Sequence, residues 1–308
     1  MTAGVAAGGA QIAYYYIAET TYGVTPASAP AFLPLRLTNF GLSLKANTIS
    51  TDELRHDRHR ATARRGQTTV EGDLTAELSF GSHDDLIAAA MCSTWATDVI
   101  QTGTTRTSFS ILKRNLDIGL DTIYTGCEVS QLKLACPLQE KVTATFSIIG
   151  ADEQEYTAPS GTTFGTPSTT DFMATFDGGF TIGGTAFHAG TDLNLTINNN
   201  MNAKYSLFQR NAYTIKLGMA DITGDLSAYV EDDTLKGYFR SETDEALAVT
   251  LTDKSSLGNE YVITIPRGRF LTGEDTLNGD DLVIQKLDWR ALLDNVSGTE
   301  LKIQRIAA

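Results

Sequence analysis

The sequence is short of positive charge: its 308 residues hold 24 Lys and Arg against 37 Asp and Glu, a formal net charge of −13. Such an acidic chain repels a phosphate backbone, which argues against tight or sequence-specific DNA binding as its main task. Cysteine is scarce. Cys92, Cys127 and Cys136 are an odd number without metal-ligand spacing, pointing to free thiols in a reducing compartment and away from a disulfide scaffold. No apolar run reaches the length of a membrane span, so no membrane insertion is expected. Met1 to Ala10 has no basic residue, and Gln11 to Ala18 is too short and polar for a secretory signal, so synthesis in the cytoplasm is expected.

Catalytic signatures are lacking as well. There is no Gly-x-Ser-x-Gly elbow and no Gly-x-x-x-x-Gly-Lys-Ser/Thr phosphate loop. His56 and His59 have an HxxH spacing, but Arg55, Arg58, Arg60 and Arg64 would repel a divalent cation and no third ligand is evident. His83 is explained by a helix start and His188 by a loop. The acidic pairs Asp232-Asp233, Glu274-Asp275 and Asp280-Asp281 lie in turn contexts or at a helix start, where turn chemistry accounts for them. The expectation is no catalytic residue, no metal and no cofactor, hence no enzyme. The two tryptophans, Trp95 and Trp289, sit in no visible site pattern, which counts against a carbohydrate-binding β-sandwich.

What is present is alternation with a period of two. Leu74, Ala76, Leu78 and Phe80 alternate with Asp73, Thr75, Glu77 and Ser79, and Val142, Ala144, Phe146 and Ile148 with Thr143, Thr145 and Ser147. Each run puts one face on a core and the other toward solvent or a partner, so the fold class is mainly β. Between Val129 and Leu132 the alternation slips by one, predicting a bulge. Ile12 to Ile17 reads as a strand or ordered arm. One short helix starts at Ser82 or His83, with Asp84 and Asp85 in its first turn.

The order of these signals recurs. Leu42-Ser43-Leu44 resembles Leu193-Asn194-Leu195, and Gly72-Asp73-Leu74-Thr75-Ala76 resembles Gly224-Asp225-Leu226-Ser227-Ala228. Asp84-Asp85-Leu86 has a counterpart in Asp232-Asp233-Thr234-Leu235, which opens a second short helix. Near-constant spacing predicts a tandem duplication, with domains 1–155 and 156–308 divided near the Pro/Gly/Thr-rich Ala158 to Thr163. Residues 1–150 carry 12 basic and 14 acidic side chains, residues 151–308 carry 12 and 23. The segment Ala46 to Gln67 stands apart. Its Arg55, Arg58, Arg60, Arg64 and Arg65 face only Asp52, Glu53 and Asp57, and its length predicts a long irregular loop. Arginine forks suit an arm that docks on the acidic surface of another subunit. A solvated loop and a DNA contact are the other readings.

An ordered set of stretches resembles the tail tube (major tail) proteins of long-tailed, non-contractile, siphovirus-type phages. These are Glu19-Thr20-Thr21-Tyr22-Gly23-Val24-Thr25-Pro26, Leu35 to Thr38, Ser50 to Arg55, Gly72 to Leu78, Asp84 to Ala90 before Trp95, and Ser108-Phe109-Ser110-Ile111 before Tyr124-Thr125-Gly126. The resemblance implies two tandem tail-tube-like β-sandwich or barrel domains, each with a short flanking helix. It implies self-assembly into stacked rings in the virion tail, as homotrimeric pseudo-hexameric rings or as hexameric ones, with transient non-specific passage of dsDNA. Tape measure, tail terminator and tip proteins are the partners it implies. Asp73, Thr75 and Glu77, with Asp225, Ser227 and Tyr229, become candidates for the lumen face, and the five arginines for inter-ring contact. A different β-rich ring-forming phage or secretion-tube component stays open as an alternative.

Overall fold

The computed structural model describes residues 7–53, 56–59, 61–254, 258–276 and 282–308. The first half runs β1 (Ile12–Ala18), β2 (Ala31–Pro34), β3 (Asn39–Phe40), β4 (Ser43–Ser50), β5 (Ala63–Glu77) and the helix α1 (Asp84–Ala90). It continues through β6 (Val99–Gln101), β7 (Phe109–Asn115), β8 (Leu120–Pro137), β9 (Thr143–Gly150), β10 (Asp152–Glu155) and β11 (Thr163–Phe164). The second half runs β12 (Gly179–Ile182), β13 (Thr185–Ala186), β14 (Gly190–Asn198), β15 (Asn202–Lys204), β16 (Thr214–Lys216), β17 (Asp221–Tyr229) and α2 (Thr234–Ser241). It ends with β18 (Asp244–Thr252), β19 (Glu260–Phe270), β20 (Glu274–Thr276), β21 (Ile284–Ala291) and β22 (Lys302–Ile306). The protein is mainly β, as the alternation predicts.

β8 explains how one strand serves two sheets. Its first part pairs with β7 and β10, its second part with β9, and the register shifts between Val129 and Gln131. That is the bulge the sequence indicates, and bulges bend strands at such corners. One sheet is therefore β1-β7-β8-β10 and the other β4-β5-β9-β8. The second half repeats this pairing: β12-β18-β19-β22, and β14-β17-β21 with β19 and β20. Even irregularities coincide. A shift between the pairs Phe109–Cys127 and Ile111–Tyr124 matches one between Glu245–Gly268 and Leu247–Ile265.

Register refines the sequence comparison. Gly72 faces Ile148 and Gly224 faces Trp289, in agreement with the similarity of these segments. Leu44, however, faces Val70 while Ile197 faces Ile222, so Leu44 corresponds to Ile197 and not to Leu195. A slip of two keeps every side chain on its face, so alternation cannot detect it. Both glycines are required sterically. A Cβ on Gly72 would lie 2.1 Å from the Gly41 carbonyl oxygen, and one on Gly224 2.2 Å from the Trp289 ring.

One core cluster spans both halves, including Leu74, Phe146, Leu226, Leu287 and Trp289, and a smaller one holds Phe32, Leu112 and Ile123. β8 pairs antiparallel with β14, Leu134 facing Leu195. Around this seam Asn199 Nδ2 donates to the carbonyls of Ala90 (2.9 Å) and Val129 (3.3 Å). The Tyr261 hydroxyl and the Arg305 guanidinium both bind Asp84, and Arg305 lies 4.3 Å over the Trp95 ring. The connection after Glu155 stays on first-half strands: β11 pairs with β2, and buried Met173 bonds to Leu78 and Val142. His83 stands at the N-cap of α1, at the expected helix start, but its side chain makes no capping bond. The His83 ring nitrogen Nε2 instead bonds the Arg36 carbonyl at 3.0 Å, and Ser82 bonds Ser79. Burial keeps His83 neutral by lowering its pKa.

Candidate assembly surfaces

The seam makes one continuous sheet of eight strands, β4-β5-β9-β8-β14-β17-β21-β20. One face lies on the core. Directly paired residues share a face, so the other can be read from the register. Asp73, Thr75 and Glu77 oppose Ser147, Thr145 and Thr143, while Asp225, Ser227 and Tyr229 oppose Asp288, Lys286 and Ile284. All six residues singled out from the sequence therefore lie on the face turned away from the core. The carboxylates there are Glu71, Asp73, Glu77, Asp192, Asp221, Asp225, Glu274 and Asp288, against Lys45, Lys133, Lys286 and Arg290. Hydroxyl and amide side chains hold several of them. Ser147 donates to Asp73 at 2.7 Å and Asn194 to Asp225 at 2.8 Å, while Lys141 pairs with Glu77. Glu274 and Asp275 lie in β20 and not in a turn; Asp280 and Asp281 lie outside the described residues.

The Ala46 to Gln67 segment is not a loop over its whole length. β4 and β5 continue into it as a two-stranded ribbon, with Thr48 facing Arg65, Ile49 facing Arg64 and Ser50 facing Ala63, so that the connection shortens to 51–62. Length alone suggests a loop, but part of that length is strand that extends past the sheet. Arg64 and Arg65 are exposed on the ribbon and Arg58 at its tip; Arg55 and Arg60 lie outside the described residues. Ile49 is 64% exposed. A lone two-stranded ribbon is marginal in water. At its base the Thr68 amide donates to the Arg210 carbonyl at 2.9 Å, which ties it to the second-half hairpin β15–β16. Among the described residues, β4 and β20 each have a single strand neighbour in the eight-stranded sheet, so both outer edges are open. Among the described residues no cluster of side chains could hold a metal, His56 and His59 included.

A model of the phage tail tube protein family matches residues 9–291. The chain belongs to this family. No curated relative matches the sequence. The phage tail tube protein is thus a structural component of the virion tail, one that assembles with itself into a tube. No helix among the described residues is long and apolar enough to cross a membrane.

The tail tube motifs meet in space at a residue the sequence reading did not single out. Glu19 accepts four hydrogen bonds: from the amides of Gly23 and Gly126 (both 2.8 Å) and the hydroxyls of Ser108 (2.7 Å) and Ser110 (2.8 Å). It pins the Tyr22-Gly23 turn against β7 and β8. Gly126 is needed there, because its φ is 64° and a Cβ would lie 2.9 Å from Ala151. Beside it Glu128 is buried and held by Arg106 through two hydrogen bonds. Burial raises the Glu128 pKa despite that partner, and hydrogen bonding to Glu128 raises that of Arg106. The signal was available: a glutamate ahead of a Tyr-Gly turn, with Ser-x-Ser in an otherwise apolar strand.

Proposed function

We propose that the chain is two tandem tail-tube-like domains, 1–155 and 156–308, and that three copies close a pseudo-sixfold ring of a siphovirus-type tube. The observation that carries this is the β8–β14 seam. Each half supplies four strands to one sheet, and the seam joins them edge to edge within the chain. The two open edges, β4 and β20, are the equivalents of the strands already joined. Pairing β4 of one copy with the β20 edge of the next repeats the seam and removes the hazard of open edges.

In such a ring the face bearing Asp73, Thr75, Glu77, Asp225, Ser227 and Tyr229 lines the lumen. Its excess of carboxylates over bases keeps DNA from adhering, so that a genome slides past. The ribbon with Arg58, Arg64 and Arg65 leaves the sheet along the strand direction and meets the adjacent ring. Tape measure, terminator and tip proteins bound the tube, and the chain acts without catalysis after synthesis in the host cytoplasm. Electron microscopy of purified polymer tests the ring: three chains per ring are expected, and six would reject it. Replacing Arg58, Arg64 and Arg65 with Glu should leave folded monomers that fail to polymerise, and normal tubes would refute the arm's role. Isolated closed rings that never stack would favour a different ring-forming component.

A further inference from the structure

The strand that enters each half is preceded by the same turn. Tyr16 of β1 faces Ile111, and Ile182 of β12 faces Leu247, at equivalent places in β7 and β18. Five residues earlier in each case an amide closes a four-residue turn, Gln11 to the Gly8 carbonyl (2.9 Å) and Asp177 to that of Ala174 (3.4 Å). Ala7 therefore corresponds to Met173.

Met173 has a defined task. It enters the gap between the end of β5 and the start of β9, its amide donating to the Leu78 carbonyl (2.8 Å) and its carbonyl accepting from the Val142 amide (2.9 Å). Its side chain is fully buried, and bridges link Phe172 to Ser79 and Ala174 to Lys141. The segment before β12 thus completes the half that comes before it. In the second half Val230 and Val283 take the places of Leu78 and Val142, as their own hydrogen bond shows (3.1 Å, against 2.9 Å). Among the described residues no segment fills the gap between them. A cavity of about 170 Å³ adjoins Val230 instead, lined also by Glu231, Phe187, Leu235, Tyr238 and Gln285.

We propose that this cavity receives the N-terminal segment, Met1 to Ala7, of a second copy of the chain, an inference that rests on the ring reading above. The first half has no half before it in its own chain. By register β1 corresponds to β12 and the open β4 edge to β14, which joins the half before it, so the ring places the second half of a neighbour before β1. The side chains fit that exchange. The segment offers small residues, Ala6 and Ala7, where the internal copy has Phe172 and Met173. The wall compensates with Gln285 where the first half has Ala144. Gln285 is 1% exposed and its Nε2 donor has no hydrogen-bond partner, so an arriving backbone carbonyl would satisfy it.

Oxidative cross-linking of the full chain tests this. The pair Ala6→Cys and Glu231→Cys reproduces the Phe172–Ser79 bridge, whose spacing a disulfide spans. Assembled double variant should give a ladder of covalent oligomers in a denaturing gel, and each single variant none. Removing residues 2–7 should cut polymer yield at least tenfold and leave monomer unfolding unchanged. Uncross-linked tubes, a cross-link confined to monomer mass, or full yield from the truncated chain would overturn the inference while leaving the ring intact. If the unaltered chain forms no rings or tubes, the ring reading itself has failed and this falls with it.

Discussion

Glu19 offers the sharpest test of what holds the tail tube motifs together. In Glu19→Ala the buried Gly126 amide loses its acceptor, while Ser110 keeps Thr25 at 2.8 Å and the half-exposed Ser108 and Gly23 can turn to water. An orphaned buried donor costs about 1–3 kcal/mol, and each hydrogen bond to a charged acceptor is worth about 1.5–3 kcal/mol net. Discounting the groups that rehydrate leaves roughly 3–4 kcal/mol, a large share of the ~5–15 kcal/mol that stabilises a domain. Glu19→Gln keeps one oxygen in place but sets its NH₂ against an amide donor, so roughly 2 kcal/mol is expected. Urea unfolding of monomer at neutral pH reads both, with exposed Glu155→Ala as a control within about 0.5 kcal/mol. A Glu19→Ala loss below about 1 kcal/mol would refute the reasoning.

Gly72→Ala and Gly224→Ala should each cost more than about 3 kcal/mol or abolish soluble expression, since their Cβ atoms overlap backbone or ring. Gly237→Ala, in α2 with open space at its Cβ, should stabilise by about 0.5–1 kcal/mol; thermal unfolding ranks the three. Arg269 and Arg267 hold the Asp244 carboxyl below its ordinary range. That stabilisation is present above the unfolded carboxylate pKa and lost as pH falls through the lowered folded one. Asp244→Asn should therefore weaken the protein at pH 7 and match the parent at about pH 2 in denaturant titrations. Burial pushes the Cys92 thiol up to about 11 and Cys136 to about 12, and raises that of Cys127 well above its ordinary value. A thiol reagent at pH 8 should label the native protein slowly and reach three groups only on unfolding; rapid native labelling of Cys127 would contradict its burial.

Much of this architecture could be read from residue order, because period-two burial leaves a direct trace. β9 buries Ala144, Phe146 and Ile148 in turn, and the Val129 bulge appeared as a skipped beat. The polar face followed too, since Asp73 and Asp225 alternate with core leucines. Three features were harder to read. The two-residue offset between Leu44 and Ile197 preserves every face, so only pairing reveals it. The ribbon read as a loop because both its faces are polar, which hides alternation. Glu19 gathers donors from β7 and β8, about ninety and more residues away in sequence, a convergence only the fold creates.

Because β8 and β14 belong to one polypeptide, their seam forms when the chain folds, at any dilution. Tethering replaces an encounter between molecules by an internal event with a high effective concentration. It also frees the two partners from being identical. The first half carries an arginine-bearing ribbon, whereas the second bears a hairpin with Leu207 and Phe208 exposed at its tip. A wall built this way can alternate two kinds of contact around its circumference, a pattern closed to any assembly of single-unit chains.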